Sequence, residues 1–148
     1  MGGEVTTIVY RDGIMCGDTA VFDRGTYCGR AKKVFRAPDG SIGGAAGALS
    51  VVARFGQWVE GGAEGIPPSI PPSDDSECLL VRPDGRVWWI GPNCEPTELI
   101  GDYFAAGSGF KIAMGALAMG ATAQQALEIC ADFDNSTRRP INTQSLLP

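Results

Sequence analysis

One local pattern recurs three times along the chain: an apolar stretch, an Asp-Gly pair and a second apolar stretch. Asp-Gly between apolar runs is a strong hairpin signal, because glycine accepts a positive φ and aspartate tolerates it. The sequence therefore predicts three antiparallel hairpins. They pair residues 6–10 with 14–18, residues 31–36 with 41–46, and residues 78–82 with 86–90.

A helix is predicted between the second and third hairpins. Residues 48–59 carry Leu49, Val52, Phe55 and Val59 at helical spacing. The stretch that follows, residues 61–75, contains two Pro-Pro pairs and several glycines, so it is predicted to be an irregular loop.

The last third of the chain favours a strand followed by helices. Residues 102–107 read as a buried strand, and residues 111–119 as an alanine-rich helix. A second helix is predicted over residues 122–130, opened by Thr122 and Gln125 in the spacing of a capping box. The polar end is expected to hold a short strand. Hairpins first and helices afterwards indicate an α+β layered domain spanning residues 1–148.

Composition excludes several classes of function. The formal charge of −5, from 12 basic and 17 acidic residues, argues against a nucleic-acid partner, since phosphate neutralisation needs a basic face. No apolar run approaches the roughly 20 residues that cross a bilayer, and the start lacks a secretory signal, so a cytoplasmic protein without a membrane partner is expected. The five cysteines form no CxxC pair, which favours reduced thiols over a metal site. No metal or organic cofactor is implied.

Histidine is absent, and this narrows the chemistry further. Ser-His-Asp and Cys-His catalysis are excluded, together with the usual zinc sites built on imidazole. A hydrolase of this composition must take its base from a carboxylate, a lysine or an α-amine. A threonine hydroxyl activated by its own α-amine is one such solution.

Five short motifs, taken in order, resemble the proteasome β-subunit superfamily, and among its members the bacterial HslV-type peptidases. The motifs are TTIV at 6–9, CGD at 16–18, AKKV at 31–34, GGAAG at 43–47 and AGSG at 106–109. The resemblance implies the N-terminal-nucleophile (Ntn) hydrolase fold, a four-layer αββα sandwich of two antiparallel sheets flanked by helices. It also implies a threonine peptidase that works inside a self-compartmentalised ring.

The resemblance assigns a nucleophile and a charge pair. Thr6 would be the nucleophile, and its freed α-amine the general base. Asp18 and Lys33 would form the charge pair beside it. Lys33 is preferred to Lys32, because alternate residues of a strand face opposite ways.

Four further residues follow from the same resemblance. The Gly44 N–H would form the oxyanion hole, and Ser108 would help to relay the proton. Asp134 and Thr137 would match an Asp-x-x-Ser motif near the site. Taken singly, each has a structural alternative: Gly44 permits close packing, and Ser108 caps a helix.

The chain departs from the family pattern in three places. Thr6 is preceded by residues 1–5, a pro-segment that must be lost before the threonine becomes terminal, and Val5 is stiffer than the glycine usual there. The loop 61–75 stands where the family has its second long helix. The first hairpin is shortened, which affects the register between Thr6 and Asp18.

Two functions therefore compete. The first is a peptidase subunit that self-associates into rings and cleaves polypeptide delivered by an ATP-dependent unfoldase. The alternative is a catalytically silent structural or assembly protein with the same fold, virion-associated in a bacteriophage particle. A hydrolase of small amides would share the fold as well.

Overall fold

The architecture is known from a computed structural model that describes residues 4–5, 7–72, 75–92 and 95–146, the first two by their backbone pairing. Thr6 lies outside the described residues. Three helices and twelve strands are defined within those ranges. They are β1 Glu4–Val5, β2 Thr7–Arg11, β3 Ile14–Gly17, β4 Ala20–Asp23, β5 Thr26–Arg30, β6 Val34–Arg36, β7 Ile42–Ala48, α1 Leu49–Glu60, β8 Glu77–Val81, β9 Val87–Ile90, β10 Pro96–Leu99, β11 Tyr103–Gly107, α2 Phe110–Ala118, α3 Ala123–Phe133 and β12 Asn142–Ser145.

The strands form two antiparallel sheets. In the described part of the chain, the larger sheet has the order β10-β9-β8-β7-β1-β4-β5, with β6 also paired to β7. The smaller sheet has the order β11-β2-β3-β12. The chain passes from the larger sheet to the smaller one between Val5, which ends β1, and Thr7, which begins β2.

Three apolar clusters show how the sheets and helices stack. Phe55 of α1 packs against one face of the larger sheet. Ile8 and Leu79 lie in the cluster between the two sheets. Val9 and Leu127 join the outer face of the smaller sheet to α2 and α3. The order across the molecule is therefore α1, larger sheet, smaller sheet, then α2 and α3.

All three predicted hairpins are confirmed over their described residues. The strand pairs are β2 with β3, β6 with β7, and β8 with β9. In the first turn, Asp12 has a φ of 51° and Gly13 a φ of 78°. These positive values explain why the Asp-Gly signal was informative.

The helix predictions are also confirmed, whereas several strands were not predicted from the sequence. The helices lie within three residues of their predicted ends, and Thr122 and Gln125 form the expected capping box. The described part of the loop 61–75 contains no helix or strand. The hairpin of β4 and β5 and the strand β10 were not predicted. The turn between β4 and β5 is Arg24-Gly25, and Arg24 adopts a φ of 51° without the Asp-Gly signal.

Within the described ranges, no helix is both long and apolar enough to cross a membrane.

Candidate active site

Asp18 is the centre of a buried polar cluster. It follows β3 directly and is 0% exposed. Its Oδ1 accepts hydrogen bonds from Lys33 Nζ at 2.5 Å and from the Thr7 backbone N–H at 3.1 Å. Its Oδ2 accepts from the backbone N–H groups of Ala20 at 3.3 Å and Arg138 at 3.1 Å. Four donors therefore satisfy this carboxylate, although it is removed from water.

Lys33 supplies the cation of this cluster from the residue before β6. Its side chain is 0% exposed, whereas Lys32 is half-exposed and pairs with Glu60 at the surface. Of the two lysines, only Lys33 faces inward, and both lie before β6 and not within the strand that the sequence predicted for them. Burial lowers the pKa of Lys33 below its ordinary value, and the Asp18 carboxylate opposes that shift.

Thr7, the residue after Thr6, is fully buried and joins a second set of polar groups. Its Oγ1 lies 2.8 Å from Thr137 Oγ1 and accepts a hydrogen bond from the Gly109 N–H at 3.1 Å. Thr137 Oγ1 donates to Asp134 Oδ2 at 2.6 Å. A threonine hydroxyl has one proton, so Thr7 must be the donor to Thr137.

Ser108 closes this chain of hydrogen bonds at the surface. It follows β11 and donates its hydroxyl to Asp134 Oδ2 at 2.8 Å. Asp134 is the C-cap residue that follows α3, and its N–H donates to the Cys130 carbonyl. Ser108 is not a helix cap, because the N-cap of α2 is Gly109. A continuous path therefore runs from buried Thr7 through Thr137 and Asp134 to exposed Ser108.

Gly44 lies in β7, where the packing explains why this residue is a glycine. A Cβ at this position would lie 2.6 Å from Met15 Sδ and 3.1 Å from Ile8 Cδ1, inside the core between the sheets. Only a residue without a side chain fits there without movement of these neighbours. Gly44 is held in the larger sheet between Val34 of β6 and Leu79 of β8.

A second glycine of the GGAAG motif, to which the sequence assigned no catalytic role, lies beside the pro-segment. Gly47 is directly opposite Val5 in the pairing of β7 with β1, and its φ is +124°. A Cβ there would lie 2.5 Å from Ser76 Cα. The GGAAG motif contains both glycines, and only the three-dimensional register distinguishes their surroundings.

Strand β1 fills the space between two strands of the larger sheet. Glu4 and Val5 pair with Phe22 and Val21 of β4 on one side. On the other side they pair with Ala48 and Gly47 of β7. An extended segment therefore runs between β4 and β7 up to the position of Thr6. The two flanking strands hold an extended segment through its backbone on both sides.

Comparisons with known proteins support the fold. The sequence matches no protein-family model, and no curated protein matches it. Among solved structures, the chain is similar to Thiobacillus denitrificans BPH, with 19% identity and a TM-score of 0.70 over 97% of this chain and 98% of that one. A second structure of BPH, in complex with epoxomicin, matches with 18% identity and a TM-score of 0.65 over 97% and 99%. At this identity, the likeness extends to the fold alone.

Proposed function

We propose that this chain is an Ntn hydrolase of the proteasome-like type, an endopeptidase in which Thr6 becomes the nucleophile after loss of residues 1–5. The observation that carries the proposal is the buried Asp18 carboxylate, whose Oδ1 accepts hydrogen bonds from both Lys33 Nζ and the Thr7 N–H. Thr7 follows the proposed nucleophile directly in the sequence, so the carboxylate is bonded to the backbone of the adjacent residue. Packing alone does not call for a buried lysine and aspartate at this point.

The chemistry would follow the scheme of an N-terminal nucleophile. The Thr6 hydroxyl oxygen adds to the carbonyl carbon of the substrate, while its proton passes to the α-amine of the same residue. The C–N bond then breaks, and the leaving amine takes that proton. Water hydrolyses the resulting ester and restores the hydroxyl. A positive charge on Lys33 lowers the pKa of a nearby amine, which keeps the base neutral at moderate pH.

The other site residues have roles that fit this scheme. A backbone N–H of β7 would bind the oxyanion. The resemblance implies Gly44, but Gly44 is paired to strands on both sides, so Gly47, which lies opposite Val5, fits this role better once β1 has left. The path from Thr7 through Thr137 and Asp134 to Ser108 would orient the strand that carries the nucleophile and connect it to solvent.

The place of β1 supports a polypeptide substrate. The segment before Thr6 is held extended between β4 and β7, as an incoming peptide would be after the segment has left. The fold shared with BPH, a protein solved with epoxomicin, adds support. Self-association into rings is proposed on the apolar side chains at the surface of the α2 and α3 layer, where Met119 is 90% and Phe133 75% exposed. An ATP-dependent unfoldase would be the partner that delivers substrate.

Intact-mass measurement of the purified protein tests the proposal. A species that begins at Thr6 should accumulate in the wild-type chain and be missing in Thr6→Ala. Thr97→Ala is the matched control, since Thr97 is an exposed residue of β10 away from the site. A wild-type chain that keeps residues 1–5 and cleaves no unfolded protein would overturn the proposal.

The pairing of β1 also favours the second candidate, a silent structural protein of a bacteriophage particle. Glu4 and Val5 contribute a strand bonded on both sides, and removing it costs backbone hydrogen bonds of the larger sheet. If the segment is retained for stability, Thr6 stays blocked. A purified protein that is stable, forms rings and keeps residues 1–5 would support this candidate.

A further inference from the structure

Arg138 holds a positive charge over two aromatic rings at the edge of the larger sheet. Its guanidinium carbon lies 4.7 Å from the ring centroid of Tyr27 and 5.1 Å from that of Phe22. The two rings meet edge to face with centroids 5.8 Å apart. Attraction between the cation and the ring faces holds the guanidinium in this place.

The backbone around Arg138 is tied to the candidate active site. The Arg138 N–H donates to Asp18 Oδ2 at 3.1 Å, and the Arg138 carbonyl accepts from the Thr19 N–H at 3.4 Å. Thr19 Oγ1 also donates to the Pro140 carbonyl at 2.8 Å. The carboxylate that pairs with Lys33 therefore also fixes the segment from which Arg138 projects.

The register of three strands brings this charge next to the path of β1. Phe22 is directly opposite Tyr27 in β5 and directly opposite Glu4 in β1. Residues opposite one another in antiparallel strands carry their side chains on the same face, with Cβ atoms about 4.5–5.5 Å apart. Val21 packs toward α1, so its neighbour Phe22 belongs to the other face, where Arg138 lies.

The charge of Arg138 is available to a ligand. Over residues 7–72, 75–92 and 95–146, no carboxylate forms an ion pair with Arg138, although the adjacent Arg139 binds both Glu128 and Asp132. Arg138 is exposed at the surface. An exposed cation beside the register of β1 would attract a carboxylate placed opposite Phe22.

Resting on the proposed peptidase function, we propose that Arg138 is a specificity-determining residue that favours an acidic side chain at the second residue before the scissile bond. In the intact chain, Val5 is the first residue before Thr6 and Glu4 is the second. The register opposite Phe22 therefore corresponds to that second position. The chain places a glutamate in this register of its own pro-segment.

Hydrolysis of two matched peptides by the processed enzyme tests this inference. Both peptides end in valine before a fluorogenic leaving group, and they differ only in Glu or Gln as the preceding residue. We expect kcat/KM to be roughly two- to five-fold higher for the Glu peptide, the range of a partly exposed ion pair. In Arg138→Gln the ratio should fall toward one. In Arg138→Glu a peptide with Lys at that position should become the better substrate.

Arg54→Gln is the control, because Arg54 is an exposed arginine on α1, on the other side of the larger sheet, and should keep the wild-type ratio. Equal rates for the Glu and Gln peptides in the wild-type enzyme would overturn the role of Arg138 and leave the peptidase proposal intact. Failure of both peptides, with no adduct from epoxomicin, would overturn both.

Discussion

Lys33 Nζ lies 2.5 Å from Asp18 Oδ1 in a place where both side chains are 0% exposed. A buried pair of this kind is costly to split, because the remaining charge loses both water and its partner. Asp18→Asn should therefore destabilise the protein by about 3–5 kcal/mol. Urea unfolding measures this. Asp18→Asn combined with Lys33→Met should recover part of the loss, since the second change removes the unpaired ammonium.

The neighbouring lysine is the control for this prediction. Lys32 and Glu60 are 48% and 50% exposed, so Lys32→Met should cost less than about 1 kcal/mol. Equal costs for Lys32→Met and Asp18→Asn would mean that the Asp18–Lys33 pair is no more important than a surface pair.

Thr137 should contribute to the stability of the protein through its hydroxyl group. Thr137→Val leaves the buried Thr7 hydroxyl without its acceptor and removes one donor from Asp134, at a cost of about 1–3 kcal/mol. Thr137→Ser keeps the hydroxyl and should retain most of the stability. Denaturant unfolding of the two variants decides the point. A serine variant as unstable as the valine variant would show that shape, not hydrogen bonding, is responsible.

Gly44 should tolerate no side chain. Gly44→Ala places a methyl group 2.6 Å from Met15 Sδ, and such overpacking costs about 1–3 kcal/mol. Gly115→Ala in α2 is the matched control, because a Cβ at that position meets no atom within 4 Å. This substitution should raise the free energy of unfolding by about 0.5–1 kcal/mol. Thermal unfolding compares the two. A Gly44→Ala variant as stable as wild type would contradict the packing explanation for this glycine.

Cys130 should make stability depend on alkaline pH. Burial, with a smaller contribution from the Asp134 and Asp18 carboxylates, raises the pKa of its thiol from 9.0 to about 11. A raised thiol pKa favours the neutral form in the folded state. The contribution of the neutral thiol to the free energy of unfolding is therefore complete below pH 9.0, and it is lost as the pH rises toward about 11. The decrease should be about 1–2 kcal/mol.

Urea unfolding at a series of pH values, for wild type and Cys130→Ala, isolates this effect from other groups that titrate in the same range. The alanine variant should show a shallower decline above pH 9.0. Parallel curves for the two proteins would contradict the buried, high-pKa thiol.

Local signals in the sequence predicted much of the fold. The Asp-Gly turns, the capping box at Thr122 and the spacing of apolar residues in α1 are properties of a few consecutive residues. The strands β4 and β5 lack such a signal, since Arg24 reaches its positive φ without the aspartate or asparagine that usually marks it.

The site could be predicted only in part for a related reason. Strand alternation predicted that only one of the two lysines is buried, although both lie just before β6 and not within it. The bond between Thr7 and Thr137 joins residues 130 positions apart, so it depends on how β2 and the end of α3 meet. The place of Gly47 opposite Val5 likewise depends on a register that no short motif contains.

The central claim, that Thr6 becomes a terminal nucleophile, is tested most directly by locating an epoxomicin adduct. The protein would be incubated with epoxomicin, digested and analysed by peptide mass. We predict a single adduct on a peptide that begins at Thr6, absent in Thr6→Ala and retained in Thr97→Ala. A wild-type chain that still begins with residues 1–5 and carries no adduct after prolonged incubation would contradict the claim.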